Sequence, residues 1–413
     1  MSSSDPAHQD APEDAADTYL DPSETYEEYA DEEHDHDEDH PMSDDEPDEE
    51  MGADEDEEII VDDSIQGFFL HTSPIYSVDL HDTIAATGGG DDLGYLWDIT
   101  NGEMISKLEG HTDSVTSVAF SKDGVYLATA GMDGQILIWN VVERKLVVKL
   151  EAGDEILWIN WHPSGPVILG GINDGTVWMW KIPSGAPMQI FSGHTGPCSA
   201  GSFSPSGKNI VTCSEDGSLI SWVPQTGEVA WKQTSQGSIT FIYGGMGLIV
   251  DARFDAGQLT SLAINPTSTV VAVGGTEGLV KLLNITNGNI LATLGAQTGD
   301  SIETLAWATT LPILAVGSTD GRIYLYDTQS YRIRNTLSHD DAVTAIHLPV
   351  GGFELTSSSM DKSVRRWDIR TGKEIARRTG HQDGIVGGLA VSKDGKKVIT
   401  GGDDTVALVW GFD

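Results

Sequence analysis

The sequence holds two cysteines in 413 residues, Cys198 and Cys213. Two thiols cannot build a disulfide framework. Both stand at strand-like positions of one repeat, where small apolar residues recur elsewhere, which suits a reducing compartment. No stretch of 18 apolar residues occurs, so no membrane-spanning helix is expected. No basic segment followed by an apolar one opens the chain, so no signal peptide is expected either. The largest absence is of positive charge. Not one Lys or Arg stands in residues 1–63, which carry 29 of the chain's 65 Asp and Glu. The remainder has 36 acidic against 23 basic residues, and the whole chain carries a formal charge of -42. A body that acidic repels a phosphate backbone, whose binding needs Lys and Arg, so no direct nucleic acid partner is expected. A strongly basic protein would be attracted. GGGDDLG at 88–94 ends a strand with no helix after it, so it is not a dinucleotide loop. With no Cys/His metal spacing either, no cofactor is implied.

What is present falls into two parts. Residues 1–58 are an Asp/Glu-rich stretch with scattered Pro and Ser. Such a stretch cannot bury enough apolar surface to offset its ordering entropy, and disorder is expected. It contains the run His34 to His40. A solvated acidic tail with incidental histidines explains that run better than a metal site, so no metal ligand is assigned.

Repeats begin at Ile59. The stretch Gly110–Asn140 shows one whole unit. A Gly-His pair precedes alternating apolar residues Val115, Val118 and Phe120. A Lys-Asp-Gly turn at 122–124 leads to a second strand from Tyr126 to Ala130. The turn Met132-Asp133-Gly134 then leads to a third strand ending at Trp139. Alternation of period two between Gly/Asp turns means short antiparallel strands. Eight pairs of a turn acid and a residue six later align along the chain: Asp91/Trp97, Asp133/Trp139, Asp174/Trp180, Asp216/Trp222, Glu277/Leu283, Asp320/Tyr326, Asp361/Trp367 and Asp404/Trp410. Their spacings are 42, 41, 42, 61, 43, 41 and 43. The long interval implies an insertion near 235–255, including an apolar, Gly-rich hairpin at 237–250. A period of about forty, with Gly-His near the start and Trp-Asp or Trp-Asn at the end, is the WD-repeat signature, one propeller blade per copy. The fold class is therefore all-β: an eight-bladed WD40 β-propeller over 59–413, preceded by the acidic tail.

A second column supports the alignment. His71, His111, His194, His339 and His381 each stand four residues before the first core position of their blade. In those same blades Thr87, Thr129, Thr212, Ser357 and Thr400 stand four before the turn Asp. The other three blades lack both, with Ala152/Gly170, Asp255/Val273 and Thr298/Val316 in those places. A buried His needs partners for its ring nitrogens, and a half-satisfied polar set is worse than none. Joint presence or absence therefore predicts five structural tetrads of His, Ser/Thr, turn Asp and strand-end Trp. Five identical His/Ser/Asp sets in one chain also argue against catalysis. The last blade has only three residues after Trp410, so Ile65–Leu70 is expected to supply its outer strand and close the ring.

Function in a propeller sits on its loop faces. Two residues after the His column stand Ser73, Asp113, Asp154, Gly196, Gly257, Asp300, Asp341 and Asp383. Neighbouring positions add Glu155, Glu303, Asp340, Glu215 and Asp403. A turn residue can be Asp for local reasons. Acids gathered round one mouth repel one another, which favours a function: holding Arg and Lys side chains of an extended basic peptide. Trp158 stands where the other blades have small residues, either covering a gap left by Ala152 and Gly170 or offering a ring face to a ligand. A basic cluster, Lys362, Arg365, Arg366, Arg370, Lys373, Arg377 and Arg378, is expected to point outward on the rim.

The third repeat is the most individual. Glu151-Ala152-Gly153-Asp154, then Trp158-Ile159-Asn160-Trp161-His162-Pro163, then Asp174-Gly175-Thr176-Val177-Trp178-Met179-Trp180-Lys181-Ile182-Pro183 resembles the family of the angio-associated migratory cell protein. That family includes the fungal Sqt-type ribosome-assembly chaperones. The resemblance implies a dedicated, non-enzymatic chaperone. Its acidic top face would bind the basic N-terminus of a new large-subunit ribosomal protein, uL-sixteen (older name L-ten), and deliver it to the pre-large subunit. It also implies a monomer in the cytoplasm, with the nucleus as a second compartment, and capture on the ribosome during synthesis. The alternative is a general WD-repeat scaffold for other basic proteins such as histones.

Overall fold

The computed structural model describes residues 61–234, 256–295, 299–385 and 387–412. The stretch 1–58 with its His34–His40 run, the insertion at 237–250, and positions Asp255 and Thr298 lie outside the described residues. Eight four-stranded antiparallel sheets are formed. Blade 2, which contains the stretch Gly110–Asn140, consists of Val115–Phe120, Tyr126–Gly131, Gln135–Asn140 and Lys145–Glu151. Its turns use Gly124 and Gly134 in the left-handed region, at φ +69° and +73°, a conformation glycine adopts without steric penalty. Blade 1 begins at Ile75–His81, and blades 3 to 7 at Ile156–Trp161, Ala200–Phe203, Leu259–Ile264, Ile302–Trp307 and Val343–His347. These innermost strands touch their neighbours all the way round, blade 8 returning to blade 1. They therefore enclose the ring's axis.

The core lies between blades. Ala128, Ile136 and Ile138 of blade 2, for example, pack on Ile156, Ile168 and Ile172 of blade 3. Both faces of each middle strand are covered this way, so alternation along it is apolar against apolar. The ring closes in blade 8. Leu389–Val391, Lys397–Gly401 and Ala407–Gly411 are completed by Gln66–Phe68 from the other end of the chain. The register is Gln66 to Val409, Gly67 to Leu408 and Phe68 to Ala407. Phe68 is fully buried and anchors this seam.

Two expectations are corrected by the packing. Arg365 and Arg366 do not point outward. Both are buried, because the third strand of blade 7 is sandwiched between neighbouring blades. Arg365 faces the loop end, and Arg366 stacks on Phe412, 4.1 Å from the ring centroid. Cys198 stands just before a strand, whereas Cys213 ends one, Ile210–Cys213. Both are buried free thiols. Burial raises both thiol pKa values, that of Cys213 to about 12.

Candidate functional site

The loop end of the ring rests on the histidine sets. In blade 2, His111 Nδ1 lies 3.0 Å from Asp133 and Nε2 lies 2.9 Å from Thr129 Oγ1. Trp139 Nε1 donates to the same Thr129 hydroxyl at 3.1 Å. A carboxylate only accepts, so Nδ1 carries the proton. The hydroxyl accepts from Trp139 and donates to Nε2. One His thus completes a chain from the turn acid to the strand-end indole with every donor matched. Blades 7 and 8 repeat it with His339, Asp361, Ser357 and Trp367, and with His381, Asp404, Thr400 and Trp410. Blade 4 inserts a hydroxyl. His194 Nδ1 meets Ser218 Oγ at 2.6 Å, Asp216 stands 3.7 Å away, and Thr212 links His194 to Trp222.

Blade 1 departs further. His71 binds Asp91 and Thr87, but Trp97 Nε1 is buried with no hydrogen-bond partner. Trp97 is therefore not the fourth member of a tetrad. Its indole stacks on Phe68 at 5.1 Å and 13°, so the closing strand sets its orientation. Burial opposes ionisation of Asp216 and Asp361, yet the nearby His194 and hydrogen bonds from Ser218 and the Thr195 amide, and those from His339 and Ser363, outweigh it and hold both carboxyls far below the usual range. Asp404 is lowered for the same reason, through His381. The histidine side chains are fully buried, out of reach of any substrate.

The blades without His use a device that the sequence reading missed. Two residues before the strand-end residue stand Trp178, Lys281 and Tyr324. Tyr324 donates its hydroxyl to Asp320 at 2.6 Å. Trp178 donates to Thr176, which donates to Asp174. Lys281 is buried, 3.2 Å from Thr293 Oγ1. In blades 2, 4 and 8 that column holds Leu137, Ile220 and Leu408. Blades 1 and 7 carry both a His and a polar residue there, Tyr95 and Arg365, so the available signal was only that every blade without His has a polar group in this column.

Above these sets lie the acids. Asp113, Glu215, Asp300, Glu303, Asp340, Asp341, Asp383 and Asp403 are exposed, and Asp154 and Glu155 half-buried. Their loops interlock. A Cβ added to Gly134, Gly278 or Gly321 would meet the backbone carbonyl of Asp154, Asp300 or Asp341, respectively, at 3.0 Å. Each of these three acidic loops is therefore seated on the turn of the preceding blade. Glu303 occupies a β-bulge of its innermost strand, between Ile302 and Thr304. A bulge re-aims the side chain it carries, and Glu303 is exposed. Among the described residues, only Asp340 of these ten carboxylates forms a salt bridge, with Arg365 and Arg377.

Trp158 does not join this face. Its indole N–H donates to Cys198 O at 2.8 Å. The ring lies where a Cβ on Gly171 or Gly201 would stand, 2.1 and 2.4 Å away. It fills the seam between blades 3 and 4. The room comes from those two glycines, not from Ala152 and Gly170.

Eight four-stranded blades, five of them held by buried His sets, with the variable residues on the loops, define a WD-repeat propeller. Accordingly, the WD domain, G-beta repeat family matches residues 102–140, 185–222, 288–327, 331–368 and 372–411. The chain is 32% identical to human angio-associated migratory cell protein over 366 residues, 84% of this chain and 80% of that protein. It is 30% identical to the Saccharomyces cerevisiae ribosome assembly protein SQT1 over 406 residues, 88% of this chain and 90% of that one. The crystal structure of Chaetomium thermophilum Sqt1 bound to the N-terminus of ribosomal protein L10 superposes with a TM-score of 0.77 at 32% identity, covering 85% of this chain and 100% of that one. The chain belongs to the family of angio-associated migratory cell protein and Sqt1.

Proposed function

We propose that this chain is a dedicated ribosome-assembly chaperone. It holds the basic N-terminal segment of newly made ribosomal protein L10 on its acidic loop face and delivers it to the pre-large subunit. The observation that carries this reading is the set of exposed carboxylates without ionic partners on loops locked to one another. Such loops keep like charges together at a fixed spacing, so an incoming guanidinium or ammonium relieves repulsion as well as forming charge-assisted hydrogen bonds. The named partner of Chaetomium thermophilum Sqt1 supports the choice of client. We place the activity in the cytoplasm, in a monomer that needs no cofactor and no catalytic step, with capture on the ribosome during synthesis.

The test is a titration of a labelled L10 N-terminal peptide. Wild-type affinity should fall steeply as salt rises, because exposed charges are screened. The triple variant Asp113→Lys, Asp300→Lys, Asp341→Lys should lose roughly a hundredfold or more at low salt, with an unchanged circular dichroism spectrum. Wild-type-like binding by the triple variant would remove the loop face from the reading. A wild type that does not bind the peptide at all would remove the client. Equal affinity for a histone-tail peptide would favour the general scaffold instead.

A further inference from the structure

The acidic face is interrupted at blade 7. Asp340 is exposed, yet its carboxylate is taken by Arg365 Nη2 at 2.5 Å and approached by Arg377 at 3.6 Å. Arg365 is buried and fixed. It also holds Asp361 at 2.7 Å, Ser338 O at 2.9 Å and Ser363 Oγ at 3.1 Å, with Glu374 at 3.7 Å. Arg377 is about half exposed. A third cation stands in the turn of the same blade. Directly after the turn acid, all eight blades place a residue in the left-handed region. Five use glycine, and the other three are Asp92, Thr405 and Lys362. A residue with a Cβ is disfavoured there, so a lysine held at φ +67° invites a functional explanation. Only Asp341 remains as an acid without an ionic partner among the described top-face residues of this blade.

We propose that Lys362 and Arg377 are specificity-determining residues, forming with the fixed Arg365 a cationic stop in the acidic face. This rests on the chaperone reading above and names how that site selects. An attractive ring alone would accept any polycation in any register. A repulsive element excludes partners that place Lys or Arg over it, which is how specificity is gained without added affinity. The accepted segment is one whose cationic residues lie over the other blades, with a neutral or acidic residue crossing blade 7. That fixes the direction in which the segment lies.

The test uses the full chain, the L10 N-terminal peptide and a scrambled peptide of the same composition. The double variant Lys362→Gly, Arg377→Ala removes both accessible cations, and glycine is the residue five blades already use there. The control Lys373→Ala, Lys393→Ala removes two exposed cations elsewhere. Lys373 opens the outer strand Lys373–Thr379 at the end away from the loops, and Lys393 pairs with Asp82. The ratio of client to scrambled affinity at low salt should fall about three- to tenfold in the Lys362/Arg377 variant and stay unchanged in the control. An unchanged or increased ratio in the Lys362/Arg377 variant, or an equal fall in the control, overturns the proposal. Failure of the wild type to bind the client peptide is a different result and strikes the chaperone reading itself.

Discussion

Blades 2 and 6 meet the same requirement with different residues. Each must settle a turn carboxylate against the top of its sheet. Blade 2 uses a His from the loop before its first strand, and the bond to Asp133 joins segments 22 residues apart. Blade 6 uses Tyr324, four residues from Asp320 on the strand that follows the turn. The first solution ties four residues into one buried set and brings the incoming loop with it. The second joins residues only four apart, within a single turn and the strand that follows it. A shared architecture therefore does not mean shared energetics, and the blades should respond differently to the same insult.

The largest difference is expected from deleting the acid in blade 2. Asp133→Ala leaves His111 Nδ1 buried without an acceptor and frees the amides of Thr112 and Gln135, which the carboxylate now receives. Orphaning a buried donor within a network costs about 2–4 kcal/mol, read as a large fall in the thermal midpoint. A loss under about 1 kcal/mol would mean the set is not cooperative. Acid should separate the two solutions next. Asp216, Asp361 and Asp404 titrate below their usual range in the folded state. Their stabilisation is complete above an unfolded value of about 3.9 and is lost as pH falls through the folded values. Burial lowers His71 and His194 despite their acids. Their contribution is whole above about pH 6.5 and fades as pH drops toward the folded values. Both act in one direction, so stability should begin to fall below about pH 6.5 and fall further in stronger acid. A thermal midpoint constant down to pH 4.5 would contradict the histidine part. Tyr324→Phe should come third, costing about 1–2 kcal/mol for one bond to a charged acceptor. It should leave the slope near pH 6 intact, because blade 6 has no His in its set.

Most of the fold could be read from the chain because the repeat writes it eight times. The Asp-to-aromatic period fixed the blades, and the coupled loss of His and hydroxyl fixed which blades carry a buried set. The closing strand was legible because three residues after Trp410 cannot make a fourth strand. What escaped depends on neighbours across the ring. The indole of Trp97 is turned by Phe68, whose place beside it exists only after closure. Arg365 and Arg366 were assigned to the rim from strand alternation, but a strand covered on both faces has no outward side. Trp158 read as a site residue because its column is otherwise small, and its accommodation by Gly171 and Gly201 lies on two other strands. The acidic loops were legible as a column, but the pairing of Asp340 was not, since Arg365 reaches it from 25 residues away.

The smallest stability effect belongs to the exposed acids, and it is the sharpest contrast with the buried ones. Asp113 and Asp133 lie twenty residues apart in one blade and share a side chain. Asp133 accepts from a buried His. Asp113 accepts from the adjacent amide of Ser114, at 2.7 Å on the surface. Asp113→Asn keeps an oxygen for that amide and removes one charge from a face that repels itself. Folding stability should therefore change by no more than about 0.5 kcal/mol, and in the stabilising direction at low salt, where repulsion is least screened. Affinity for the basic peptide should fall in the same variant. Thermal melts in low and high salt beside the peptide titration check both halves. Destabilisation by more than about 1 kcal/mol would return Asp113 to the class of its buried neighbour.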